Sequence, residues 1–245
     1  MQRAWLFLLF VAALAACSPK QQPAQNETAQ TAAPAPTATK LEAPMEAPAG
    51  AYTIDPSHTS VLFRVSHVGF SNYTARFKKT SAQMQLDPQN LAASNVTVTV
   101  DAKSLETDYP NVAEHDFNAA LTGEQWLDAA KYPEITFRST NVEVTGPRTM
   151  RIHGDLTIRG VTRPMTLETR LNGGYAGHPL DKNARVGFSA HGTLKRSEFG
   201  ISYGIPEPGS TFGVGDEVEV IVETEFSGPP WANAPADAPS ASATN

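Results

Sequence analysis

From Ala51 onward the chain alternates. Val61, Phe63 and Val65 take turns with Leu62, Arg64 and Ser66, and Val96, Val98 and Val100 with Asn95, Thr97, Thr99 and Asp101. Val218, Val220 and Val222 do the same with Glu217, Glu219 and Glu223. A period of two belongs to a β-strand with one apolar and one solvated face. The pattern predicts further strands over Phe77–Leu86, stopped by Asp87-Pro88, and over Glu134–Val144. Three more are carried by Met150, Ile152, Leu156 and Ile158, by Met165, Leu167 and Leu171, and by Val186, Phe188 and Ala190. Between the runs stand turn residues: Gly69, Ser71-Asn72, Gly146-Pro147, Arg159-Gly160 and Asn172-Gly173-Gly174. About eight antiparallel strands joined mostly by short turns result.

One passage breaks the rhythm. Over about Asn111–Ala130 the apolar residues Phe117, Leu121, Trp126 and Leu127 fall at roughly helical spacing, and Tyr132-Pro133 then ends any helix. The reading is an all-β sandwich or up-and-down barrel with one short helical cap. A closed barrel would remove exposed sheet edges, and eight strands suffice to hold one small ligand. Phe117 and Trp126 are the expected apolar plugs of the cap, with Trp126 bordering the interior. Arg196–Gly215, rich in Gly and Pro, reads as irregular.

Composition sets the limits of this domain. Residues 18–50 are largely Ala, Pro, Gln, Thr and Glu, too poor in bulky apolar groups to offset their ordering entropy, so a disordered linker is expected there. The same holds for a tail over 228–245, leaving 51–227 as the folded domain. The net charge of −6 and the lack of any Lys/Arg run argue against a nucleic-acid partner.

The single cysteine, Cys17, excludes an internal disulfide. It follows a short positive start and the apolar run Ala4 to Ala13, as in a secretory signal over residues 1–16. Leu14-Ala15-Ala16-Cys17 resembles a bacterial lipobox. Cleavage before Cys17 and acylation of its thiol, with chains of the palmitate kind, would anchor the protein to a membrane. Ser18 is not the Asp associated with inner-membrane retention. By that analogy a periplasmic lipoprotein at the outer membrane is expected.

No Gly-x-Ser-x-Gly elbow, phosphate-binding loop or dinucleotide fingerprint is present, and no cofactor is expected. His115-Asp116 is the nearest polar constellation, but neither a nucleophile nor an oxyanion site accompanies it. His58 and His67 lack a ligand cluster of zinc spacing, so no metal is expected either.

Four blocks carry a family resemblance. The first is Tyr52-x-Ile54-Asp55-Pro56-x-His58-x-Ser60-x-x-Phe63-x-Val65-x-His67-x-Gly69, and the second Trp126-Leu127-Asp128-Ala129-x-Lys131-Tyr132-Pro133-x-Ile135-x-Phe137-x-Ser139. Then come Gly154-x-Leu156-Thr157-Ile158-x-Gly160-Val161-Thr162 and Arg196-x-x-Phe199-Gly200-Ile201. Together they resemble the YceI-like, polyisoprenoid-binding periplasmic proteins over about Tyr52 to Phe226. The chain departs from that pattern at Thr74-Ala75-Arg76, where a glycine usually precedes the phenylalanine.

The resemblance implies a lipocalin-like, eight-stranded antiparallel barrel holding a long-chain isoprenoid or other fatty lipid, without covalent chemistry. Its wall would be drawn from Phe63, Phe77, Phe117, Leu121, Trp126, Phe137, Ile152, Leu167, Phe188 and Phe199. His58, His67 and Arg196 are candidates for a polar head group, and a homodimer stays open. Two rival readings remain at this point: an enzyme or accessory acting on a lipid-borne substrate through a histidine acid/base, and a structural or stress-linked envelope barrel without ligand.

Overall fold

A computed structural model describes residues 45–232. The expected signal peptide, Cys17, most of the linker and residues 233–245 lie outside the described residues. Ten strands are present: β1 (Gly50–His67), β2 (Ser71–Phe77), β3 (Thr80–Leu86), β4 (Asn95–Asp101), β5 (Leu105–Glu106), β6 (Glu134–Val144), β7 (Thr149–Ile158), β8 (Val161–Tyr175), β9 (Asn183–Lys195) and β10 (Val214–Pro230). One α-helix, α1 (Phe117–Thr122), is described with them.

The strands form one antiparallel barrel. Its wall runs β1, β3, β4, β6, β7, β8, β9, β10, and the pairing of β10 with β1 closes it. The valine alternation sets the register: Val61, Phe63 and Val65 stand opposite Val222, Val220 and Val218, so their apolar faces turn inward together. The expected strand over Phe77–Leu86 is two pieces. Lys78 and Lys79 interrupt it, and β1 pairs with β3 along its first half and with β2 along its second. The break leaves an eight-stave wall, since β2 and β3 together fill one stave.

Two hairpins are tight. Val68 (φ 56°) and Gly69 (φ 71°) turn β1 into β2, with the Phe70 N–H donating to the His67 carbonyl at 3.0 Å. Arg159 (φ 51°) and Gly160 (φ 72°) turn β7 into β8 at the dipeptide expected from sequence. At Arg159-Gly160 positive φ at both central residues gives the twist a two-residue hairpin needs; the first loop holds three residues, since His67 pairs with Ser71, and positive φ at the β-branched Val68 is strained. In β1, Pro56 to Thr59 bulge outward opposite the single residue Thr224.

The two ends of the barrel differ. The floor end holds Gly50, Leu86, Tyr175, Asn183 and Pro230. The other, the cap end, holds His67, Asp101, Glu134, Ile158 and Val214. The floor is filled by Tyr52, Met84, Leu86, Leu91, Leu171, Val186 and Phe226. Tyr52 is 1% exposed, donates its hydroxyl to the Pro48 carbonyl at 2.7 Å, and has its pKa pushed by burial up to about 12. A second core of Phe137, Leu156, Ile158, Met165, Phe199 and Ile201 supports one side of the cap end. Gly154 lies under Phe137: a Cβ there would land on the Phe137 ring and the Arg138 carbonyl, so glycine is what allows the ring to lie flat on the wall.

Ordered structure extends a few residues beyond 51–227 on both sides. β10 continues past Ser227 to Pro230, and the Trp231 N–H donates to the Lys182 carbonyl at 2.6 Å. Ahead of β1, Met45 bridges to Gly174 and Ala47 is buried in the floor. The described strand pairs close the barrel within 45–232, and that segment carries both hydrophobic cores.

The cap is shorter in helix than its apolar spacing suggests. Only Phe117–Thr122 is α-helical, started by the Asp116 carboxylate accepting from the Ala119 N–H at 2.9 Å and ended at Gly123. Leu127 and Ala129 then donate back to the carbonyls of Leu121 and Thr122, and Asp128 takes φ 48°. The apolar residues are thus placed by a folded-back coil rather than by one helix face. No helix among the described residues is long and apolar enough to cross a membrane.

Candidate functional site

The barrel encloses a cavity of about 640 Å³ between its floor and its cap. The wall supplies it with period two: Val96, Val98 and Val100 from β4, Met165, Leu167 and Thr169 from β8, and Val218, Val220, Val222, Thr224 and Phe226 from β10. Of the wall residues expected from sequence, Phe63, Phe77, Phe117, Leu121, Trp126, Phe137, Ile152, Leu167 and Phe188 all face this one space. Phe199 does not. It is 2% exposed, packed in the second core and set in the 3₁₀ turn Arg196–Phe199, outside the cavity.

The cap closes part of the upper opening. Phe117, Leu121, Trp126 and Leu127 reach the cavity from it. Phe117 stacks on Tyr73 (centroids 5.5 Å, edge-on) and on Tyr109 (5.6 Å), and Trp126 on Tyr203 (5.6 Å). On this side the lining residues Val65, Tyr73, Phe77, Tyr109 and Phe117 are half-buried and His67 is exposed, so the cavity meets solvent between β1, β2 and the cap. Sequence reasoning missed Tyr73, Tyr109 and Leu127 as lining. Tyr109 sits in an irregular stretch with no periodicity to reveal it.

Polar groups around the cavity are few. The hydroxyls of Thr59 and Thr224 bond each other at 2.8 Å, and the Tyr73 hydroxyl donates to the Thr107 carbonyl at 3.2 Å. Thr80 Oγ1, also on the lining, is buried without a hydrogen-bond partner.

Among the described residues, Arg196 is the one Lys, Arg, Asp or Glu side chain on the lining. It is 4% exposed. Its Nε donates to Gly215 O (2.8 Å), one terminal nitrogen to Ile201 O and Tyr203 O (2.9 Å each), and the other to Val214 O (2.7 Å). The Trp126 ring lies 5.1 Å from the guanidinium carbon. Burial lowers its pKa, with the nearby Asp216 charge acting the other way. As a head-group candidate, Arg196 has four of its five N–H donors already engaged: it ties the irregular loop to the barrel rim. Glu198, the carboxylate two residues on, is not among these bonds. Asp216 instead accepts from the Ser197 N–H and hydroxyl.

His58 lies away from the cavity, on the outward bulge of β1. Its Nδ1 is 2.9 Å from Asp55 Oδ2. Arg185, 130 residues further along, donates to the same Asp55 oxygen and to Asp181 Oδ2 (2.6 Å). Asp55, His58 and Glu225 put ligand atoms within 4.8 Å of one another, but the positive group already seated there is the Arg185 guanidinium, 3.8 Å from Glu225. Partial burial pushes the Asp55 carboxyl up. The hydrogen bonds from His58, Arg185 and the Ser57 N–H, with the Arg185 charge, outweigh this and hold it far below the usual carboxylate range.

That depression has a measurable consequence. A carboxyl whose folded pKa is lowered stabilises the fold above its unfolded pKa of about 3.9 and loses that contribution as pH falls toward the folded value. The melting temperature is expected to fall below about pH 4. Asp55→Asn should cost about 2 kcal/mol at neutral pH and flatten this acid limb, as read by melting curves across pH. An unchanged acid limb would show that the Asp55–Arg185 contact does not set it.

A closed barrel with a capped apolar interior defines a lipocalin-like class of protein. Within that class, the YceI-like domain matches residues 52–226, and this chain belongs to that family. A UPF0312 protein of Vibrio cholerae is 36% identical over 163 residues, covering 66% of this chain and 82% of that protein. Protein YceI of Escherichia coli O157:H7 is 38% identical over 176 residues, covering 71% and 85%. Among solved structures, BcnA of Burkholderia cenocepacia matches with a TM-score of 0.59 and 26% identity over 70% of this chain and 98% of that one. A polyisoprenoid binding domain from Saccharophagus degradans matches with a TM-score of 0.53 and 13% identity over 74% and 99%, a likeness of fold.

Proposed function

We propose that this protein binds and carries a long-chain isoprenoid or similar amphiphile within the barrel, without covalent chemistry. The observation that carries the reading is the cavity itself. An aliphatic and aromatic chamber of about 640 Å³ lies within the range of small-molecule sites, and its polar groups are few and scattered. Burial of a water-insoluble chain there stabilises the complex in proportion to the CH₂ groups covered, less the cost of ordering it. Membership of the YceI-like family, which is not a known enzyme family, supports the non-catalytic reading. The polyisoprenoid named for the Saccharophagus domain is the ligand class extended here to this chain.

The periplasmic location, and the tie to the outer membrane through acylated Cys17, belong to the same proposal and rest on the leader and lipobox pattern. The test uses the 45–232 segment. Organic extraction with mass spectrometry should recover a lipid, and the stripped barrel should take up a fluorescent polyprenol. A barrel that brings down no lipid and takes up no polyprenol would remove the proposal. Membrane fractionation of the Cys17→Ala chain checks the anchor: protein that remains membrane-bound would refute it.

A further inference from the structure

The large aromatic side chains left in solvent sit at the cap end, whereas the exposed aliphatic Leu180 and Val144 lie at the floor end. Phe70 is 89% exposed, Phe212 85% and Tyr203 54%. Phe70 tips the β1–β2 hairpin, and Phe212 and Tyr203 lie on the loop between Arg196 and β10. The backbone holds these tips together. The Val68 N–H donates to the Gly213 carbonyl at 2.7 Å, and the Val214 N–H to the Gly204 carbonyl at 2.7 Å. Gly69 faces the Thr211 side chain closely enough that a Cβ would press on it. The bond to Gly213 holds the strained Val68 in the turn that presents Phe70.

The chemistry of this surface is selective. Val65 to Ala75 contains no charged residue, and Phe199 to Gly215 contains only Glu207. The barrel wall is the opposite, with outward ion pairs such as Arg64–Glu219 (3.6 Å) and Arg151–Glu168 (2.9 Å). A bilayer interface takes up exposed aromatic side chains, and the hydrocarbon beneath it rejects charged pairs, so the wall cannot sink into lipid and these tips can. The aromatic tips also continue the cavity lining. His67 and Val214, which pair across β1 and β10 and line the cavity, adjoin the Phe70 and Phe212 turns.

We propose that Phe70, Tyr203 and Phe212 form a docking rim that inserts into the interface of a lipid bilayer, setting the cavity opening against the membrane. Docking relies on apolar burial rather than on charge. It rests on the proposed function only for what passes through the opening.

The test uses the 45–232 segment and its Phe70→Ser/Phe212→Ser variant. Both positions are in solvent, so the variant should keep its melting temperature. Flotation with neutral phosphatidylcholine vesicles should carry the wild-type segment, at low and at raised salt alike. The double variant should associate about tenfold more weakly or less. Uptake of a fluorescent polyprenol from these vesicles should slow by a similar factor, while equilibrium binding of the same probe added from dilute solution should stay unchanged. A wild-type segment that does not float would overturn the proposal, as would a variant that floats equally well. So would association that needs anionic lipid and disappears with salt, or a rim that instead joins two copies into a dimer the substitutions dissolve. The cavity reading fails separately, by loss of probe binding from solution, and flotation judges the rim on its own.

Discussion

Val220→Trp is expected to reduce polyprenol binding by about tenfold or more while leaving the barrel folded. Val220 sits mid-wall on β10, opposite Phe63 on β1 and Gly192 on β9, and faces the cavity. It is only half-buried, because part of its surface meets cavity space rather than packed side chains. An indole placed there takes up room a ligand needs, with open volume to receive it. The stability cost should therefore stay at the low end for overpacking, about 1 kcal/mol. Titration with a fluorescent polyprenol, beside a melting curve, reads both effects. Unchanged binding in a folded variant would place the lipid on the outer surface and not in the barrel.

Arg196→Met is expected to destabilise the protein by about 3–5 kcal/mol, measured as a shift in denaturant midpoint. Four carbonyls, those of Ile201, Tyr203, Val214 and Gly215, lose their donor at once. Methionine matches the stem's volume but offers no N–H. Arg196→Lys should recover little, since one ammonium group cannot reach carbonyls spread around a planar fork. The loop carrying Tyr203 and Phe212 should loosen in both variants, seen as faster amide exchange over residues 200–213. A variant as stable as the wild type would mean that the loop holds itself without the guanidinium.

The parts of this fold legible in the sequence are those where one physical rule acts alone. On β4 and β10 the wall has oil on one side and water on the other, so valine alternation gives strand, register and cavity face together. The cap obeys a different rule. Phe117, Leu121 and Trp126 are spaced as on a helix, but what unites them is the space they point into. Gly123 and the left-handed Asp128 reach it by a backbone path that periodicity does not encode.

Charge was the least legible. Arg196 looks free beside Glu198 because sequence shows a cation and cannot show four carbonyls folding back on it. His58 stands in the first family block, but the Pro56–Thr59 bulge turns it outward to Asp55. The pairing of Arg185 with Asp55 carries no sequence signal, since the two stand 130 residues apart. Phe199 reads as one more aromatic for the wall, and the 3₁₀ turn it ends sends it into the second core instead.

Barrel closure also has a cost in time. β1 meets β10 through pairs such as Thr53 with Ser227 and Phe63 with Val220, contacts that span most of the folded chain. Such non-local pairings are slow to form, because the loop must close before any contact rewards it. Until β10 arrives, β1 and β9 both stand as open edges, with the valines and phenylalanines of the future cavity exposed between them. The last of the described strands to leave the ribosome is therefore the one that makes the molecule safe from sticking to its neighbours. A chain interrupted before Val214 should aggregate rather than yield a smaller barrel.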